Sequence, residues 1–205
     1  MNKAIDQLIR DIKNEDCHIR FAAARILRDV GGSNPVVQDT LLDALKDSIW
    51  FVRLAALQSL RDIRLESDII IEKIVPILKD EHEDVREYAA FTISDLGPKA
   101  VEAVTALAAA LSDPVWYVRT TVAWVLGEIG AGARDACNSL INCLTDDEIE
   151  VRISATRALG MISSTDNKDV IIALEKVARD SSQPPEAKDK AKEALARIKG
   201  FGNKI

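Results

Sequence analysis

The scarcity of certain residues narrows the chemistry of this chain first. It holds two histidines, His18 and His82, and three cysteines, Cys17, Cys137 and Cys143. Three is an odd number, and no pair has the spacing of a zinc knuckle or a redox motif. Free thiols in a reducing compartment are expected. Cys17 has no histidine beside it other than His18, and there is no glycine-rich phosphate loop and no G-x-S-x-G elbow. No catalytic residue, metal ligand or cofactor is therefore expected. No stretch approaches the ~18 consecutive apolar residues of a membrane span. The opening residues Lys3–Ala4–Ile5–Asp6 make no apolar signal region. A cytoplasmic protein without a membrane partner follows as the expectation. Excess basic charge is missing too: 27 Lys and Arg face 33 Asp and Glu, a net charge of −6. Nucleic acid usually needs a basic footprint, so it is not an expected partner.

What the chain has in abundance is repetition. Arg20, Arg53, Arg86, Arg119 and Arg152 recur every 33 residues. A branched apolar residue precedes each: Ile19, Val52, Val85, Val118 and Val151. Six positions before each stands Asn14, Asp47, Asp80, Asp113 or Asp146. A fixed period of this length marks stacked repeats, each burying its apolar face against its neighbours. Leu8, Leu41, Ile74, Leu107 and Leu140 form one apolar column, and Ile12, Leu45, Leu78, Leu111 and Leu144 lie four residues on, on the same helical face. After the arginine come a small column, Ala23, Ala56, Ala89, Val122 and Ala155, and a large one, Leu27, Leu60, Ile93, Leu126 and Leu159. Val30, Ile63, Leu96, Ile129 and Ile162 close the pattern.

In the fourth repeat, Lys99 to Leu111 reads as one helix. Asp113 then reads as an N-cap with Pro114 as first helical residue, and a second helix runs from about Val115 to Ile129 before Gly130. Pro76, inside the first helix of the third repeat, predicts a kink or early break. A sixth, degenerate unit echoes the repeat 36 residues on, with Lys188 after Arg152, and its Lys-, Glu- and Ala-rich helix suits a polar cap.

A 33-residue period also fits ankyrin repeats, but their T-P-L-H-x-A signature is absent. The stretches DPVWYVRTTVAWVLGEIG (113–130) and DEHEDVREYAAFTISDLG (80–97) instead resemble the short HEAT-like repeats of the phycobilisome-lyase type, over about residues 3–199. The resemblance implies an all-α, right-handed α-solenoid of about five 33-residue hairpins. These would be residues 1–31, 32–64, 65–97, 98–130 and 131–163, with a helical cap at 164–199 and a frayed tail at 200–205. It also implies a structural ladder between successive units, with Asp47, Asp80, Asp113 and Asp146 meeting Arg53, Arg86, Arg119 and Arg152, each aspartate capping its second helix as well. The family spans scaffolds, transport factors, chromophore lyases and a few enzymes. Its iron-dependent deoxyhypusine hydroxylases carry several His-Glu pairs in register, whereas here only His82–Glu83 forms one. Its DNA-glycosylase branch lines the concave face with basic residues, whereas here that face carries Glu83, Asp84, Glu87 and Glu150.

The chain has only nine aromatic residues, and their placement is uneven. Taking each repeat's arginine as zero, at ~100° per residue positions −1, +3, +7 and +10 share one helical face, and −3, −2, +1, +2 and +5 share the opposite one. Eight aromatics fall in the second set: Phe21, Trp50, Phe51, Tyr88, Phe91, Trp116, Tyr117 and Trp124. Thr120 and Arg157 lie in the same columns. All are expected to point away from the core into one concave groove. Position +9 adds the acids Asp29, Asp62, Asp95 and Glu128. Such a surface would suit a protein or peptide partner that is apolar with basic flanks. A non-catalytic interaction module or scaffold is the leading expectation. Mutual packing of the aromatics, a homodimer through the same face, and a bilin or tetrapyrrole lyase subunit stand beside it.

Overall fold

The computed structural model describes residues 3–31, 34–63 and 67–200. The repeat boundaries expected at 31/32 and 64/65, and the tail 201–205, lie outside the described residues. Among those residues every regular element is helical. They group into two compact units, Met1–Thr92 and Ile93–Ile205. The first holds α1 (Lys3–Asp11), α2 (Cys17–Gly31), α3 (Pro35–Ala44), α4 (Trp50–Asp62), α5 (Ser67–Ile74) with a 3-10 turn (Val75–Lys79), and most of α6 (Glu83–Ser94). In the second, a 3-10 helix (Gly97–Ala103) leads into α7 (Val104–Ala110), followed by α8 (Trp116–Ile129). A second 3-10 helix (Gly130–Ala136) leads into α9 (Cys137–Asn142), followed by α10 (Ile149–Ile162). The last pair is α11 (Lys168–Arg179) and α12 (Pro185–Ile198).

The apolar columns form the core. Every member of the small and large columns is buried, as are Val52, Val85, Val118 and Val151. The first unit packs α2 against α4, and the second packs α8 against α10 and α10 against α12.

Several local expectations are corrected. Lys99–Leu111 is not one helix, because Gly97–Ala103 is 3-10 and only Val104–Ala110 is α-helical. A 3-10 turn sets residues three apart on one side, and Ala100 and Ala103 both use that side to reach the core. Asp113 is not the N-cap, nor Pro114 the first helical residue. The cap is Val115 in extended conformation, and the Asp113 carboxylate accepts the Val115 N–H at 2.9 Å. Asp47 does the same for Ile49 and Asp146 for Glu148. Each aspartate thus closes a turn two residues before the cap residue and aims the chain into the helix. At Pro76 the expected break is present: α5 ends at Ile74, and 3-10 structure follows.

The arginines bridge repeats. Arg20 Nε and Nη2 donate to the two Asp47 oxygens at 2.6 and 2.9 Å. Arg53 holds Asp80 in the same way at 2.8 and 2.7 Å, and Arg119 holds Asp146 at 2.8 and 2.7 Å. Meanwhile Nη1 donates to the main-chain carbonyl six residues back, Asn14, Asp47, Asp80, Asp113 or Asp146, in all five repeats. Arg152 meets Gln183 at 3.2 Å instead of a carboxylate, where the cap replaces the next repeat.

Two glycines let second helices of the second unit approach closely. A Cβ added to Gly160 would meet the Ala194 Cβ at 2.6 Å, and one on Gly127 would meet the Ala158 Cα at 3.1 Å. Both stand at +8 in their repeats, so α8, α10 and α12 approach through one bare column.

Because Arg53 and Asp80 are nearly buried, Arg53→Ala strands a carboxylate and should cost about 3 kcal/mol or more in urea unfolding. Lys192→Ala, which removes an exposed pair with Asp189, should leave the midpoint unchanged.

Burial alone would push the Asp47 carboxyl up. Hydrogen bonds from Arg20 and the Ile49 N–H, with the charges of Arg20 and Arg53, outweigh it and hold the group below its ordinary value. Asp146 is held down likewise, against burial, by Arg119, the Glu148 N–H and Arg152. A carboxylate depressed in the folded state contributes stability above its unfolded value of about 3.9, and that contribution is lost as pH falls through the folded value. Urea midpoints should therefore drop below about pH 4, and Asp47→Asn should start lower at neutral pH but fall less on acidification.

Candidate partner-binding face

None of the eight aromatics on the second helices is buried. Trp50 and Trp116 are 36% and 42% exposed, and the other six are half-buried. Trp124 is among these six, so it is not fully presented outward as its column predicts. The columns beneath them, at −1, +3 and +7, are filled by fully buried residues in α4 and α8. That packing fixes the rotation of each helix and so places the aromatic face.

In the Met1–Thr92 unit part of that face is taken up by internal stacking. The Trp50 indole lies flat on the His82 ring, 3.8 Å between centroids at 9°, and meets Phe51 edge-on at 5.8 Å. Phe51 in turn contacts Phe21 edge-on at 5.7 Å and His18 at 5.8 Å. Tyr88 and Phe91 lie 6.1 Å apart. The Arg61 guanidinium sits 4.2 Å from the Phe91 centroid and 5.8 Å from that of Tyr88, and donates to the Tyr88 hydroxyl at 3.4 Å. Arg25 lies 5.6 Å over Phe21. Thus one side of these rings is already covered by imidazole or guanidinium. Arg61 and His82 lie outside the columns that single out the aromatics. The signal for Arg61 is readable at +8, where the first two repeats carry Arg28 and Arg61.

In the Ile93–Ile205 unit, Trp116 meets Tyr117 edge-on at 5.8 Å, and the Thr120 hydroxyl donates back to the Trp116 carbonyl at 3.1 Å. Arg157 is exposed and reaches Glu128 only at 3.9 Å. Ile153, Arg157 and Met161, at +1, +5 and +9 of α10, line one wall of a cleft of about 800 Å³ whose other wall includes Lys190, Ala194 and Arg197 of α12. The acids Asp29, Asp62, Asp95 and Glu128 are all exposed, and Arg28 bonds Asp29 at 2.8 Å and Asp62 at 3.4 Å.

Two of the three thiols, Cys137 and Cys143, are buried. Burial pushes Cys143 up to about 11 and raises Cys137, despite a hydrogen bond with Ser163. Asp16, Cys17 and His18 bring three potential ligand atoms within 4.8 Å at the start of α2. Two of the three are exposed, the carboxylate accepts the His18 N–H, and His82 is not among them.

A family model for HEAT repeats matches residues 1–69 and 71–159. The chain belongs to the HEAT-repeat family. Solved structures of similar fold span nearly all of it. The crystal structure of an engineered protein covers 98% of this chain and 98% of its own, with TM-score 0.69 and 22% identity. The archaeal HEAT-like repeats protein from Thermococcus onnurineus NA1 covers 98% and 89%, with TM-score 0.64 and 15% identity. Human deoxyhypusine hydroxylase in complex with glycerol covers 97% and 74%, with TM-score 0.54 and 22% identity. At such identities the likeness is one of fold, that of the all-α helical-repeat proteins, and not of activity. No curated protein matches the chain. Among the described residues, no helix of this HEAT-repeat chain is long and apolar enough to cross a membrane.

Trp50→Ala removes one ring stack and should cost about 1 kcal/mol in urea unfolding, and Trp116→Ala should cost less. Leu126→Ala, on the buried side of α8, should cost about 2–5 kcal/mol. Acrylamide should quench Trp50 and Trp116 more strongly than Trp124.

Proposed function

We propose that this HEAT-repeat chain is a non-catalytic interaction module that holds a protein or peptide partner on the aromatic face of its second helices. One observation carries the reading. A chain with nine aromatic residues places eight of them in the outward columns of its second helices, none buried, over a small and a large apolar column that are buried in every repeat. Constant packing beneath a varied aromatic surface is what recognition requires, since Trp and Tyr anchors dominate binding energy while the scaffold only positions them. Membership of the HEAT-repeat family supports it, because such repeats generally mediate protein interactions. The exposed acids at +9 favour a partner with basic flanks around an apolar centre.

The test is a comparison of the wild-type chain with Trp50→Ala, Trp116→Ala and Trp124→Ala as baits in native lysate. A polypeptide retained by the wild type should be lost from the variants. Titrating that polypeptide should shift tryptophan emission, and each anchor should be worth about 2 kcal/mol of affinity. A captured polypeptide that binds the triple variant as tightly as the wild type would overturn the reading, as would failure of any polypeptide to bind.

A further inference from the structure

On α10 the columns that carry rings on α4 and α8 are filled differently. Positions −3, −2, +1, +2 and +5 read Ile149, Glu150, Ile153, Ser154 and Arg157, without an aromatic. At +9, where the first four repeats carry acids, stands Met161. Below this face α10 and α12 meet through Gly160 and Ala194, where an added Cβ would lie 2.6 Å from the Ala194 Cβ. So bare a contact leaves nothing tall between the two helices. The longer side chains on either flank become walls, and the cleft of about 800 Å³ opens between them. Pockets that hold small ligands run to about 300–1,000 Å³. The charges along it are unequally committed. Lys190 donates to Glu193 at 2.8 Å, so those two offset each other. Arg157 is 60% exposed and comes only within 3.9 Å of Glu128, a pair that contributes little in water. Among the described residues, neither Arg197 nor Glu186 has an ion pair. Two uncommitted guanidiniums and one uncommitted carboxylate, in the first turn of α12, therefore stand beside Ile153, Met161 and Ala194.

We infer that this cleft takes the C-terminal end of a polypeptide. The free carboxylate lies on the guanidiniums of Arg157 and Arg197, the last side chain is apolar and packs on Ile153, Met161 and Ala194, and a main-chain N–H upstream donates to Glu186. The inference rests on the partner-binding reading of the second-helix face, to which Arg157 belongs, and names the part of the partner that enters here. Chemistry selects this occupant. An excess of guanidinium calls for an anion, and its planar fork matches a carboxylate. Apolar surface directly beside it calls for an anion that carries an apolar group on the same carbon. A C-terminal Leu, Val or Phe does so, whereas Asp and Glu side chains end in the carboxylate alone. A fatty acid would also join carboxylate to apolar chain, but it would strip water from Glu186 and offer no donor in return. Length agrees as well. Glu186 and Arg197 are eleven positions apart on α12, a rise of about 16 Å that about five extended residues span.

Fluorescence anisotropy on the full chain tests this with two pools of hexapeptides labelled at the N-terminus, random except for a last residue Leu, Val or Phe. One pool ends in a free acid and the other in an amide. The free-acid pool should bind, and the amide pool should bind at least ~10-fold more weakly, as expected for loss of a charge-assisted contact. Arg157→Ala and Arg197→Ala should each weaken the free-acid pool at least ~10-fold and leave the amide pool unchanged. Both arginines are exposed, so the far-ultraviolet spectrum should not move. Decanoate should not displace the free-acid pool. Equal binding of the two pools, indifference to both arginine variants, displacement by decanoate, or no binding of the free-acid pool at about 1 mM would overturn the inference. The partner-binding reading stands or falls separately. A polypeptide captured by the wild type and lost from the tryptophan variants, yet bound equally well with its C-terminus amidated, would sink this inference and leave that reading in place.

Discussion

One guanidinium carries the logic of this fold. The ladder arginine at the start of each second helix reaches back to a carbonyl of its own repeat and, at Arg20, Arg53 and Arg119, forward to both oxygens of the aspartate 27 residues on. The aspartate is in turn held by the N–H of the residue that caps the helix after it. Turn geometry, helix entry and the joint between repeats therefore depend on one charge-assisted network. Only a planar donor with two usable edges can serve both repeats at once, which lysine's point charge cannot reproduce.

How much of this was legible in the sequence follows from what repeats. The period, the buried columns and the break at Pro76 recur or act locally, so they can be read without coordinates. The splitting of the Lys99–Leu111 helix could not, because Ala, Val and Leu satisfy α and 3-10 turns alike, and the choice falls to which alanines must reach the core. The aspartate's place two residues before the cap was obscured by the shared preference of caps and turns for the same side chain.

For the aromatic face, helical angle alone separates outward columns from inward ones, and none of the eight described aromatics lies in the core. What angle cannot reveal is which outward ring meets another. Trp50 on His82 and Arg61 on Phe91 join residues about one period apart, a distance at which side-chain length and rotamer decide contact. The rings are thereby held in place by imidazole and guanidinium, and a surface built this way gives up less conformational freedom on binding than free tryptophans would.

The +8 column has a different consequence. It carries Arg28 and Arg61 in the first unit and no side chain at Gly127 and Gly160 in the second. Long side chains there can be exchanged without moving a helix, at the cost of the cover Arg61 gives Phe91 and Tyr88, whereas any carbon added at Gly160 collides with the backbone of Ala194. The two halves of the array therefore have unequal freedom to change over generations. The end bearing the ladder's first arginines can drift and acquire new surface chemistry, while the end held by bare helix contacts must inherit its spacing intact.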